Sequence, residues 1–255
     1  MINNKLFYSP TAVLNPKLRL FCLPYAGGSS NTYLPWLNKL NRNVELVLVQ
    51  LPGRGIRFND KPHDSMNDVI QDLINEVAYL TSVPFVIFGH SLGSRVAFEL
   101  CSELYRLGHE LPQCLIASGS SAPHVDLQKK RIYDLPNHLF IEELKLLNGT
   151  PEEVLLNDDL MGMLTPLLRA DFRISDEYRA KKIHLPFPIH VLSGSEDFNV
   201  KPHQLSAWND LTKDSCSYTV INGDHFFIEK NRDELLIEVD RILNQTVDSL
   251  CGYSI

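Results

Sequence analysis

No stretch of this sequence approaches the roughly 20 consecutive apolar residues that span a bilayer. Met1 to Lys17 also has no cationic start followed by an apolar core and a small-residue cleavage site. A membrane-embedded or secreted protein is therefore not expected, and a cytoplasmic one is. Cysteine is scarce, with five residues (Cys22, Cys101, Cys114, Cys216 and Cys251) and no C-x-x-C pair. An odd number without clustering argues against a disulfide framework and a structural metal, so reduced thiols are expected. Cys22 and Cys114 sit in strand-like apolar runs, where a thiol acts as a small buried hydrophobe. Positive charge is in deficit as well: the formal net charge is -7, whereas binding nucleic acid needs a surplus of lysine and arginine. Internal repeats and low-complexity segments are absent.

What is present is enough apolar material, 44% of 255 residues, for a sizeable core. Short apolar runs recur at Leu18 to Leu23, Val44 to Leu51, Phe85 to Phe88, Cys114 to Ala117, Ile189 to Leu192 and Tyr218 to Ile221. They read as strands buried on both faces. Between them, Ser65 to Tyr79 places Met66, Val69, Ile70, Leu73, Ile74 and Val77 on one stripe, with Ser65 as N-cap and Asp68 as its capping-box-like partner. Asp233 to Leu243 repeats the helical pattern. Strands alternating with helices predict the α/β class, a mostly parallel central sheet flanked by helices. The alternation breaks from about 124 to 179, where only helical stripes occur, interrupted at Gly149-Thr150-Pro151. The strand pattern then resumes, so one domain over 1–255 with an inserted helical lid is expected rather than two domains.

Gly89-His90-Ser91-Leu92-Gly93 lies directly after a predicted strand and before a predicted helix, Leu92 to Tyr105. In that context G-x-S-x-G is a nucleophile elbow, its glycines required because side chains there would collide with neighbouring backbone. This is the signature of an α/β-hydrolase fold. A serine hydroxyl needs a base, and the base needs an orienting acid. In this fold the chain order is serine, acid, histidine. Gly194-Ser195-Glu196-Asp197 follows a predicted strand, making Asp197 the leading acid and Glu196 the fallback. Of the later histidines, His203 looks like a surface helix start, whereas His225 lies in a loop just past the last strand. His90 is expected to support the turn, and the remaining histidines to be solvated or satisfied structural residues. Backbone N–H donors for a tetrahedral oxyanion are expected from Leu92 and from the Leu23-Pro24-Tyr25-Ala26-Gly27-Gly28 loop, with Ala26 the chosen donor.

These residues resemble the type II thioesterases that accompany nonribosomal peptide and polyketide synthases, along almost the whole chain. The oxyanion loop, Gln50-Leu51-Pro52-Gly53-Arg54-Gly55, the elbow followed by Val96-Ala97-Phe98-Glu99-Leu100, and two lid segments carry the likeness. The lid segments are Leu147-Asn148-Gly149-Thr150-Pro151 and Leu167-Leu168-Arg169-Ala170-Asp171-Phe172. Two departures stand out: Asp224 replaces a second glycine before the histidine, and Ser94-Arg95 replaces a small or apolar pair. The resemblance implies catalytic Ser91, Asp197 and His225, and removal of acyl groups from the phosphopantetheine arm of acyl or peptidyl carrier proteins, with no metal and no bound cofactor. It also implies an editing role on stalled or mis-primed units.

Met161, Met163, Leu164 and Leu168 are candidate pocket residues, set against plain core. Lys129, Lys130, Arg131, Arg169, Arg173 and Arg179 are candidates to meet an acidic carrier, set against a solvated face. A monomer is expected. The alternatives are a medium-chain fatty-acyl thioesterase, a small-molecule carboxylesterase and a non-catalytic binding protein.

Overall fold

The computed structural model describes residues 5–126 and 130–252. Seven strands form one sheet: β1 (Phe7–Tyr8), β2 (Leu18–Leu23), β3 (Val44–Val49), β4 (Phe85–His90), β5 (Leu115–Ser118), β6 (Ile189–Gly194) and β7 (Cys216–Ile221). Their order is β1-β3-β2-β4-β5-β6-β7, and every pairing is parallel except β1 with β3. The helices are α1 (Met66–Ile74), α2 (Val77–Leu80), α3 (Leu92–Leu107), α4 (Asn137–Leu147), α5 (Glu152–Leu155), α6 (Asp158–Glu177), α7 (Pro202–Ser206), α8 (Phe227–Lys230) and α9 (Arg232–Gly252). The expected α/β architecture is therefore the observed one.

Strand alternation divides the core into two layers. Phe85 and Ile87 of β4 join Val69, Leu73, Val96, Phe98 and Leu100 of α1 and α3. Val86 and Phe88 face the other way, against Trp36 and the Leu235, Val239, Ile242 and Leu243 stripe of α9. The central strands can thus be apolar at every position, since both faces are covered.

Two expectations need correction, and one strand was not expected. β7 is not buried on both faces: it is the sheet edge, with Tyr218 47% and Val220 62% exposed. β1 is too short, at two residues, to leave a periodic signal. The helix predicted over Ser65 to Tyr79 breaks at Asn75 and Glu76 into α1 and α2. Beyond the break, Val77 and Tyr79 of α2 are partly buried against the same core as Ile74 of α1 and the buried Leu80. The start of α1 follows expectation, as Ser65 Oγ accepts from the Asp68 N–H at 3.2 Å. Asp68 answers through its carboxylate, accepting from the Ser65 hydroxyl at 2.7 Å.

Between β5 and β6 the chain runs through α4, α5 and α6, with no strand among the described residues there. These helices carry a small cluster of their own, made of Ile132, Phe140, Leu144, Leu155, Met161 and Leu168. Arg169 closes it by stacking 4.5 Å over the Phe140 ring and donating to the Leu135 carbonyl at 2.8 Å.

Candidate active site

Ser91 sits between β4 and α3 with φ +53 and ψ -113, a conformation that a non-glycine residue adopts only under constraint. The constraint is main-chain crowding. A Cβ on Gly89 would lie 2.2 Å from the Gly93 carbonyl oxygen, and one on Gly93 would lie 2.3 Å from that of Leu23. Ser94 completes the clamp: its hydroxyl lies 2.7 Å from the Gly89 carbonyl oxygen and 2.9 Å from that of Ser118, which share its one proton, and it accepts from the Ser118 N–H at 3.1 Å. The Ser91 N–H also donates to Ser118 O at 2.8 Å. One of the two departures from the family pattern, Ser94, therefore ties β4, β5 and the head of α3 together.

β6 ends in the turn that carries Asp197, buried at 7% exposure, whereas Glu196 is exposed. The Asn199 N–H donates to Asp197 Oδ1 at 3.0 Å. The loop after β7 brings His225 alongside, and its Nδ1 stands 2.7 Å from Asp197 Oδ2. Its Nε2 stands 3.0 Å from Ser91 Oγ. An ionised carboxylate only accepts, so Nδ1 carries the proton and Nε2 is left to accept from the serine hydroxyl. The two loops approach so closely that a Cβ on Gly194 would lie 2.5 Å from the Gly223 carbonyl oxygen. His203 is exposed on α7.

A cavity of about 610 Å³ opens over these groups, lined by Ser91, His225, Ala26 and Ser120 below and by Leu144, Leu147, Val154, Leu164, Leu167, Leu168 and Phe172 of the inserted helices above. Its size is that of a small-molecule pocket. Ala26 stands at the cavity beside Ser91. Leu92 is the first residue of α3, so its N–H has no intrahelical acceptor. Leu164 and Leu168 line the cavity, but Met161 and Met163 do not, which corrects the reading of the whole stripe as pocket. Met161 is buried in the helices' own cluster, and Met163 is 58% exposed. A 20-residue helix packed between α5 and α3 presents one side to the cavity, one to its neighbours and one to water.

A family model described as Thioesterase domain matches residues 18–243. The chain belongs to the thioesterase family. It is 36% identical to the gramicidin S biosynthesis protein GrsT of Aneurinibacillus migulanus, over 91% of this chain and 91% of that protein. Among solved structures, ClbQ from the colibactin NRPS/PKS pathway matches with a TM-score of 0.83 at 34% identity, covering 92% of this chain and 98% of that one. The type II thioesterase BorB from the borrelidin biosynthetic cluster matches with a TM-score of 0.85 at 29% identity, covering 97% and 99%. The resemblance to type II thioesterases carried by the motifs therefore holds for the whole architecture.

In this thioesterase the elbow histidine has a position that spacing alone did not reveal. His90 is fully buried, with Nε2 2.9 Å from the His225 carbonyl oxygen and Nδ1 2.9 Å from Ser118 Oγ. A carbonyl can only accept, so Nε2 carries the proton and holds the backbone of His225 in place. Burial, and then the nearby His225, push the His90 pKa well below its ordinary value, keeping it neutral. Room for its ring comes from Gly119 (φ +57), where a Cβ would lie 2.6 Å from His90 Cε1. Asp224, the other departure, accepts from the Phe226 N–H at 2.9 Å and pairs with Lys230, shaping the histidine loop.

Arg95 lines the cavity, 4% exposed. Its Nη2 donates to Ser121 Oγ at 3.2 Å, and its buried Nη1 has no partner. Burial, followed by the nearby Arg179, pushes its pKa down to about 10. The basic residues proposed to meet a carrier are mostly engaged within the chain: Lys130 with Glu143, Arg173 with Asp64 and Glu177, Arg179 with Asp126, and Arg169 with main-chain carbonyls. Lys129 lies outside the described residues. Among the described residues no helix is long and apolar enough to cross a membrane.

Proposed function

We propose that this thioesterase hydrolyses acyl groups held on the phosphopantetheine arm of acyl or peptidyl carrier proteins, through an acyl-Ser91 intermediate. The observation that carries the reading is the unbroken relay from Asp197 to His225 to Ser91 at 2.7 and 3.0 Å, set at the floor of a cavity roofed by leucines of the inserted helices in a thioesterase fold. Ser91 Oγ attacks the thioester carbonyl carbon while His225 Nε2 takes the hydroxyl proton. Asp197 holds the imidazole by Nδ1–H and stabilises it once it is cationic. The N–H groups of Ala26 and Leu92 receive the tetrahedral oxyanion, each donor typically worth about 2.7–4 kcal/mol. Collapse breaks the C–S bond, and His225 returns its proton to the departing thiolate. Water then attacks acyl-Ser91 with His225 again as base, releasing the acid and the free serine.

The inserted helices act in this reading as the lid of a single domain, keeping water from the acyl chain. Editing of stalled or mis-primed synthase modules is the role that the likeness to type II thioesterases supports in this reading. The free thiols of Cys22, Cys101 and Cys114, all buried, agree with work in the reducing cytoplasm, where the reading has the chain act as a monomer.

The test is turnover of one acyl group presented on a carrier protein, on coenzyme A and as a p-nitrophenyl ester. The carrier thioester should be cleaved at least about tenfold more efficiently than either small substrate, and Ser91→Ala should abolish all three. Preference for the coenzyme A thioester of a medium chain would instead make it a fatty-acyl thioesterase. Preference for the free ester would make it a carboxylesterase, and hydrolysis that survives in Ser91→Ala would overturn the mechanism.

A further inference from the structure

Two motifs shared with the family, Pro52-Gly53-Arg54 and Arg169-Ala170-Asp171-Phe172, take no part in the relay, yet in the folded chain they meet. Arg54 Nη2 donates to Asp171 Oδ1 at 2.7 Å and Nη1 donates to Oδ2 at 3.0 Å, a bidentate pair. The side chains are 5% and 2% exposed. Burying such a pair costs desolvation that a pair of apolar residues would avoid, so stability alone is a weak reason for it. The pair also holds something. Asp171 Oδ2 accepts from the Gly27 N–H at 2.7 Å, and Arg54 Nη1 donates to the Gly28 carbonyl at 3.0 Å. Gly27 is the residue after Ala26, the proposed oxyanion donor.

The same side of α6 presses on both glycine turns. Gly27 has φ +76, and a Cβ there would lie 2.6 Å from Leu168 Cδ2. Gly53 has φ +83, and a Cβ there would lie 3.2 Å from Leu167 Cδ1. Leu167, Leu168 and Asp171 occupy one face of the helix, so α6 seats on the oxyanion loop and on the Pro52–Arg54 turn together.

We propose that Arg54 and Asp171 are positioning residues for the oxyanion loop, so that the Ala26 N–H is in register only while α6 is seated. The inference rests on the acyl-serine reading above and deepens it. A seated cavity roof and a competent oxyanion hole become one state, and an unseated roof leaves Ser91 and His225 intact but without one of their two donors.

The experiment measures kcat and KM for a butyryl N-acetylcysteamine thioester, inhibition by a trifluoromethyl ketone analogue that adds reversibly to Ser91, and thermal melting. Four proteins are compared: wild type, Ser91→Ala, Asp171→Asn, and the double variant Arg54→Leu/Asp171→Leu. Asp171→Asn should lower kcat about 10- to 100-fold with KM within about twofold, and weaken the ketone by the same factor, because its adduct carries the oxyanion. The double variant should melt within a few degrees of wild type, its apolar pair replacing the ionic one, without recovering kcat. Recovery of kcat together with melting temperature would overturn the proposal by assigning the pair to folding alone. So would an Asp171→Asn enzyme with wild-type kcat, or one that loses kcat while the ketone binds unchanged. Should the double variant not fold, kcat against ketone affinity in Asp171→Asn still decides. Failure of the underlying reading looks different: wild type itself would leave the thioester intact, or Ser91→Ala would cleave it.

Discussion

Around Ser91 the tightest restraints are main chain on main chain: a serine at φ +53, two glycines with carbonyls 2.2 and 2.3 Å from where a Cβ would stand, and an amide hydrogen bond running to β5, with the Ser94 hydroxyl beside them. Over the same cavity, α4 to α6 are held by side chains, through a small apolar cluster, Arg169 on Phe140, and the Arg54–Asp171 pair. Backbone crowding allows almost no adjustment, whereas side-chain packing tolerates volume-conserving exchange at about 1.5 kcal/mol or less. The floor is therefore built to keep one geometry, and the apolar part of the roof to tolerate substitution. The Arg54–Asp171 pair is the exception, since it ties the roof to the Gly27–Gly28 loop.

The contrast breaks first at the relay if it breaks at all. His225→Ala should reduce thioester turnover by about 10⁴-fold or more while the melting temperature stays within a few degrees. Turnover within tenfold of wild type would remove His225 from the mechanism. The glycines come next. Gly93→Ala drives a methyl into the Leu23 and Pro24 carbonyls and should cost about 3 kcal/mol or more, seen in denaturant unfolding. Gly162→Ala in α6, where a Cβ meets nothing within 4 Å, should stabilise by about 0.5–1 kcal/mol. Equal effects at the two positions would erase the distinction between floor and roof.

Leu164→Ala should lower kcat/KM for an octanoyl thioester about tenfold, the effect of losing 1–2 kcal/mol of apolar contact. Met163→Ala should leave it within twofold, and the reverse ranking would put the wrong face of α6 at the cavity. The smallest effect concerns His90. Its folded pKa is depressed, so below about pH 6.5 the unfolded chain binds a proton that the folded chain does not. Stability from this group is complete above that pH and falls as pH drops towards the folded value, by at most about 1.4 kcal/mol per pH unit. Melting temperature should therefore decline from pH 7 to 5 more steeply in wild type than in His90→Gln, and identical slopes would show that His90 does not titrate on unfolding.

The elbow was legible because strand, G-x-S-x-G and helix are contiguous. Asp197 and His225 followed from chain order and from their places just past strand ends, and they meet Ser91 because parallel strands deliver the loops after them to one edge of the sheet. Less was legible where position depends on a partner far along the chain. Met161 and Met163 share the apolar character of Leu164 and Leu168, and only the seating of α6 separates core, cavity and solvent. The exposure of β7 follows from its place at the sheet edge, and strand order is not a local property.

The sequence pattern by itself determined the α/β class, through alternation along the chain, and the elbow and its glycines, which depend on residues within a turn or two; the order of nucleophile, acid and base then followed from the fold that the elbow marks. Tertiary structure alone decided that Arg54 pairs with Asp171 across 117 residues, that His90 holds the carbonyl of His225, and which side of α6 faces the cavity. Hydrogen bonds and close packing are set by separations of a few ångströms in space, and no spacing along a chain specifies those until the sheet has brought its loops together.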